Sequence, residues 1–247
     1  MLAIILFFLI HWYFSLFFQT FFHHRYAAHK MFTMSPGWEK VFFVLSWIFQ
    51  GSSYIGVRAY GVMHRMHHAY ADTEDDPHSP DFAEGLFDMM FKTKKIYSKI
   101  FFNRFVTDEK FAKGVPSWER FERFADGWFV RVGWGLFYVA FYAAFAPNLW
   151  WWLLLPLHFM MGPLHGAIIN WFAHRIGYRN FEVTDKSRNL MPVDIFMMGE
   201  GYHNNHHKFG ARPNFGVKWH ELDPTWFVIK IFNRLNIIQL KKTPIAA

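Results

Sequence analysis

Residues 1–30 read MLAIILFFLIHWYFSLFFQTFFHHRYAAHK, and the architecture follows from that stretch. From Met1 to Phe22 there is no Lys, Arg, Asp or Glu. A helix needs about 20 such residues to cross a bilayer core. The run then passes straight into His23, His24, Arg25 and His29, so an apolar helix delivers imidazoles to one of its ends. A cleavable signal peptide would carry a basic segment at its start, and none is present.

Two further stretches have the same character. Trp128 to Ala146 contains one charge, Arg131, and Leu149 to Phe172 contains none, with Trp150, Trp151 and Trp152 placed as an interfacial belt. Ala146, Pro147 and Asn148 form the turn between them. A fourth apolar stretch, Val41 to Val57, is shorter and is interrupted by Gly51, Ser52, Ser53 and Gly56. Composition supports the same class: the chain is 53% hydrophobic and 22% aromatic, with 32 Phe, far more than a soluble core requires. Cysteine is absent, which excludes disulfides, thiolate zinc sites, iron–sulfur clusters and a Cys-ligated haem.

The net charge of +7 is not a nucleic-acid signature, because its placement is topological. Of 26 Lys and Arg, 14 lie between His23 and Gly127 and 11 between Asn170 and the end, with Arg131 the remaining one. By the positive-inside rule both blocks face the cytoplasm, and the N-terminus and the 146–148 turn face outward. Lys92, Lys94, Lys95 and Lys99 in the first block would be a solvated loop, or would meet the phosphates of a ligand or of lipid headgroups. The expected fold is an all-α integral membrane protein of a single domain, residues 1–247. It has about three transmembrane helices, one interfacial or re-entrant helix at Val41–Val57, and a cytoplasmic helical cap carrying the histidines.

Nine of the 15 histidines fall into compact arrays: His24 and His29; His64, His67 and His68; His174; and His203, His206 and His207. Positions i, i+3 and i+4 share a helix face, so each triad presents three imidazoles in one direction. Asn170 and His174 are also four apart. His24 and His29 are five apart, poorly aligned on an ideal α-helix, and are expected where the first helix ends. Protonatable rings clustered beside lipid are costly unless they bind metal. His11, His23, His78, His158, His165 and His220 have no matching partners and are expected to be ordinary core or surface residues, although His158 and His165 could line a cavity. Nine imidazoles exceed the needs of one zinc and suit two metals. Imidazole accepts iron, zinc, copper or nickel, but two irons would bring oxygen chemistry that no side chain supplies. Glu200 is expected to support or cap the site, since a single Glu-x-x-His does not make a carboxylate-bridged bundle site.

These residues resemble the membrane fatty-acid desaturase family, of the acyl-CoA type. His24 to His29 is similar to its first histidine box, His64 to His68 to its second, and Gly199 to His207 to its third. Asn170 to His174 resembles an extra ligand motif in which the His binds metal and the Asn acts through a water. Asp76-Pro77-His78 and Gly177-Tyr178-Arg179 resemble connecting segments. The resemblance runs from about His11 to about Trp219. It implies two iron ions, O2 as co-substrate, a long-chain acyl substrate (acyl-CoA, acyl carrier protein or acyl-lipid) and electrons from a ferredoxin or b-type cytochrome, in a bacterial inner membrane. The family commonly has two spanning helices before its first box, whereas only Met1 to His23 precede it here. A hydroxylase or ketolase of alkanes, sterols or carotenoids shares the histidine spacing, and Gly199 to Tyr202 favours the desaturase. A metal transporter would place its ligands along the spans, whereas here they gather at one end.

Overall fold

The computed structural model describes residues 1–105 and 107–241; Lys242, counted in the second basic block, lies outside them. Helix α1, Leu2–Phe18, continues without a break into a π-helical segment, Gln19–Ala28, giving a 27-residue span. At 1.5 Å per residue the α-helical portion alone traverses most of a bilayer core of about 30 Å. Strand β1 is Phe32–Met34, and α2, Pro36–Gln50, then runs back along α1. Ser35 caps α2 by accepting from the Trp38 amide, with Pro36 at the first helical position.

At 15 residues, or about 22 Å, α2 is too short to cross. Phe42 meets Phe21 (ring centroids 5.0 Å) while Phe49 stacks on Phe14 (4.6 Å) and Phe18 (5.2 Å), so α2 climbs antiparallel to α1 and stops partway. The chain reverses at Gly51, whose φ of +53° suits glycine, and a Cβ there would stand 1.7 Å from the Tyr138 hydroxyl. It returns as α3, Val57–Tyr70, which carries the second histidine triad. The sequence places this interrupted helix at Val41–Val57; the structure moves its start back to Pro36 and its end to Gln50.

Helices α4 (Leu86–Phe101), α5 (Glu109–Ala112) and α6 (Glu119–Asp126) follow, and α7, Trp128–Phe145, is the second helix long and apolar enough to cross a membrane. Only 11% of α7 is buried against protein, so most of its apolar surface is left for lipid. The third expected crossing, Leu149–Phe172, is two pieces bent by 72°: Leu149–Phe159, which includes α8 (Leu155–Phe159), and Met161–Phe172, which includes α9 (Met161–Ala167) and a π-helical turn, Ile168–Phe172. The bend accommodates the re-entrant turn, because the Gly162 amide donates to Ser53 Oγ at 3.0 Å and a Cβ on Gly162 would lie 2.9 Å from the Ser53 carbonyl.

The histidine end is closed by α10 (His203–Lys208), α11 (Pro224–Arg234) and β2 (Ile238–Leu240). A two-stranded antiparallel sheet departs from the all-α expectation: Phe32 faces Leu240, Thr33 faces Gln239 and Met34 faces Ile238. It ties the chain's C-terminal part to the exit of α1. Arg25 reinforces this link through a 2.8 Å ion pair with Asp223, the residue capping α11, with both side chains fully buried.

Candidate metal centre

The π-helical segment of α1 explains the first histidine pair. A π-helix hydrogen-bonds i to i+5, so residues five apart lie nearly one above the other. The His29 amide donates to the His24 carbonyl at 3.1 Å, and the two imidazoles come within 4.9 Å, centroid to centroid. His24 therefore lies inside the long helix and His29 caps it. On α3, Arg65 turns away from its histidine neighbours and donates to the Ala27, Ala28, Phe111 and Lys113 carbonyls, locking the second triad against the end of α1.

The third triad is positioned by a polar scaffold. Asn205 accepts from the Asn180 and Asn189 side chains and donates to Glu221 (2.9 Å) and the Phe215 carbonyl (2.9 Å). Gly199 has φ +96°, and a Cβ there would fall 2.5 Å from the Asp223 carboxylate, which accounts for glycine beside Glu200.

The nine histidines converge in two groups: His24, His29, His64, His68 and His206; and His67, His174, His203 and His207. In the first, Nε2 separations are 2.9 Å (His29–His64), 3.0 Å (His64–His68), 3.0 Å (His68–His206) and 3.0 Å (His24–His206). In the second they are 3.0 Å (His174–His203) and 3.3 Å (His67–His207). Two nitrogens bound at right angles to an ion about 2.1 Å away would sit about 3.0 Å apart.

Four Nδ1 atoms face carboxylates: His24 to Glu200 at 2.6 Å, His67 to Asp76 at 3.0 Å, His174 to Asp72 at 3.0 Å and His207 to Asp185 at 2.9 Å. Such a contact puts the ring proton on Nδ1 and leaves the Nε2 lone pair free. Thr20 also donates to Glu200. Asp72 takes a left-handed φ of +60° and additionally accepts from the Lys186 amide at 2.7 Å. Burial and then neighbouring imidazoles hold His29, His64, His68, His203, His206 and His207 well below the ordinary value of 6.5. They are neutral at pH 7. One N–H···N bond satisfies a neutral pair at 3 Å, but His64, His68 and His206 each bring Nε2 to about 3 Å from two other Nε2 atoms, a convergence of donors that fits metal ions.

Asn170 lines a cavity of about 50 Å³ with His24, His64, His203 and Glu200, residues of both groups and the carboxylate behind His24. His78, which the sequence gives no partner, is 3% exposed, packs on His67 with centroids 4.3 Å apart and forms a third cluster with His67 and Asp76. His165 lines the same cavity. His23 donates toward the Ile55 carbonyl (2.7 Å), and so serves the re-entrant turn. Sequence reasoning named Glu200 but missed Asp72, Asp76 and Asp185 as partners. The signal was the run of acidic residues following the second triad, Asp72 to Asp76.

Fold and site together define a membrane-type helical protein with two adjacent histidine pockets suited to metal ions. The fatty acid desaturase family model matches residues 1–230, and the chain belongs to that family. It is 33% identical to the Delta-9 desaturase-like 1 protein of Arabidopsis thaliana, over 91% of this chain and 72% of that protein. It is 28% identical to the sn-1 stearoyl-lipid 9-desaturase of Synechocystis sp., over 90% of this chain and 66% of that protein, and so spans just under two thirds of that relative. It is also 28% identical to the acyl-CoA C20 Delta5-desaturase of Anemone leveillei, over 90% of this chain and 68% of that protein.

Proposed function

We propose that this chain acts as one domain that introduces a double bond into a long-chain fatty acyl substrate, using O2 and two electrons from a ferredoxin or b-type cytochrome. The observation that carries the reading is the convergence of nine imidazoles into two adjacent pockets in a chain whose relatives are named as stearoyl-lipid and acyl-CoA desaturases. His24, His29, His64, His68 and His206 hold one iron; His67, His174, His203 and His207 hold the other, with Asn170 acting through a water. When bound, the irons supply the oxygen activation needed to remove hydrogen from an unactivated methylene pair.

The protein's own residues do the rest. Glu200, Asp72, Asp76 and Asp185 fix the tautomer and aim of four ligands. The buried side chains of α1, α3 and α9 keep the reacting methylenes dry and aligned, so that position selects the bond. The Lys and Arg asymmetry supports a histidine cap on the cytoplasmic side, in what we take to be a bacterial inner membrane. Delta-9 placement is supported by the Arabidopsis and Synechocystis relatives, whose names carry that position.

The test is expression in a host with its own iron and reductant, with total fatty acids measured by gas chromatography and mass spectrometry beside a His206→Ala control. A new unsaturated acid in wild type alone is the expected result, and its fragments give the bond position. A hydroxylated product would overturn desaturation, and a purified chain holding no iron would overturn the metal assignment.

A further inference from the structure

A row of buried polar side chains, some with atoms that find no partner among the described residues, runs inside the spanning bundle. On α1, His11, Ser15 and Gln19 recur every four residues, which sets them on one face with a rise of about 6 Å between successive members. They are 6%, 0% and 6% exposed. Ser15 Oγ and Gln19 Oε1 have no hydrogen-bond partner among the described residues. At one end of the row, His11 Nδ1 lies 2.6 Å from His158 Nδ1, and His158 Nε2 lies 2.9 Å from the Tyr142 hydroxyl, which is within one turn of the end of α7 at Phe145. At the other end, Gln19 and His165 line the cavity that His24, His64, His203 and Asn170 also line. His165 is 1% exposed, and neither of its ring nitrogens has a partner among the described residues. Trp12, the neighbour of His11, packs edge-on against the His165 ring at 4.6 Å.

Interhelical adhesion accounts for the Tyr142, His158 and His11 contacts, which join α7, α8 and α1. It does not account for the orphaned atoms of Ser15, Gln19 and His165. Each buried polar group left without a partner costs about 1–3 kcal/mol, and ionisable groups within a membrane span are functional by default. One water, accepting from one group and donating to the next, bridges polar atoms up to about 6 Å apart, a span of the same order as the backbone rise between successive members of the row. The cavity itself, at about 50 Å³, holds at least one.

We propose that Tyr142, His158, His11, Ser15, Gln19 and His165, bridged by waters, form a proton route from the turn end of the bundle to the metal cavity. The proposal rests on the desaturase reading and deepens it. In that reaction two C–H bonds break and a C=C bond forms. O2 accepts four electrons, two with the hydrogens of the acyl chain and two from the one-electron carrier. Its O–O bond breaks, and two protons from outside complete two waters. An acyl chain filling a dry site blocks solvent from the cavity, so those two protons need a route through the protein.

The experiment uses the full iron-loaded chain in lipid nanodiscs, with a reduced one-electron donor and a stearoyl substrate. His11→Phe, Tyr142→Phe and Ser15→Ala are compared with wild type in H2O and D2O, and a structure at a resolution that shows waters is obtained alongside. The expected result is turnover reduced on the order of 10²-fold in His11→Phe and less in the other two, within the range for loss of proton transfer. The solvent isotope effect rises in each variant, with iron content and substrate KM unchanged, and waters stand between Ser15, Gln19 and His165. Unchanged isotope effects in all three variants, or a dry row, would overturn the route. A changed preference for acyl length at wild-type isotope effect would instead assign the row to the acyl tail. Should wild type form no unsaturated product, the desaturase reading fails, and the waters still decide whether the row is wet.

Discussion

The two histidine pockets are held by different means. The five-histidine group has one carboxylate behind it, Glu200 on His24, and its other members are placed by helix geometry: the π-helical segment for His29, α3 for His64 and His68, and α10 for His206. The four-histidine group has three carboxylates behind it, on His67, His174 and His207. One pocket is rich in donors and sparsely braced; the other has few donors, heavily braced. Bracing fixes ring orientation and raises ligand basicity, so it substitutes for ligand number.

The largest expected difference comes from removing one ligand on each side. His203→Ala leaves three donors in the braced pocket and should abolish activity and lower iron to about one per chain, a loss beyond the roughly 10- to 100-fold that outer partners cost. His29→Ala leaves four donors in the other pocket and should retain more of the second iron. Iron analysis of both purified variants checks this, and equal losses would erase the contrast. Next in size are the braces. Asp72→Asn removes the carboxylate charge behind His174 and leaves one acceptor oxygen where two served His174 and the Lys186 amide, and should weaken retention of one iron by about 10- to 100-fold. Glu200→Gln removes the charge of the one carboxylate that stands behind the five-histidine pocket among the described residues, so its effect should be at least as large. Chelator-competition titrations rank the two, and a smaller effect for Glu200→Gln would show that helix geometry alone suffices there.

The amino-acid sequence makes the ligands visible and hides the braces, for a physical reason. Spacing of three and four residues is a local property of a helix, so the triads at His64 and His203 can be read directly. Asp185 reaches His207 across 22 positions and Asp72 reaches His174 across 102, and pairing at that distance is decided by tertiary packing. The His24 and His29 spacing of five is legible only once the helix is known to be a π-helix, which no residue preference announces. The spans follow from hydropathy, but the 72° bend in the third does not; Pro156 and Pro163 hint at it, and the fit of Gly162 against Ser53 requires it. The sheet between β1 and β2 escaped notice because three-residue strands at opposite ends of a chain carry no pattern of their own.

The smallest and most graded effect separates the pockets by acid. Four of the six histidines held well below 6.5 belong to the five-histidine group and two, His203 and His207, to the other. A depressed folded-state pKa means that the unfolded chain binds the proton first. The stability these neutral rings contribute is therefore present above about pH 6.5 and is lost progressively as pH falls below it, toward their depressed folded-state values. Each ring adds at most about 1.4 kcal/mol per pH unit to that slope. The metal-free chain should accordingly show a falling Tm between pH 7.5 and 5.5 in detergent. His64→Gln, which removes one depressed ring, should flatten the fall, whereas Asp185→Asn, which removes a brace without removing a ring, should lower Tm and leave the slope nearly as it was. If Asp185→Asn flattened the slope as much as His64→Gln, the carboxylates and not the buried rings would set the acid response, and the two pockets would differ in bracing alone.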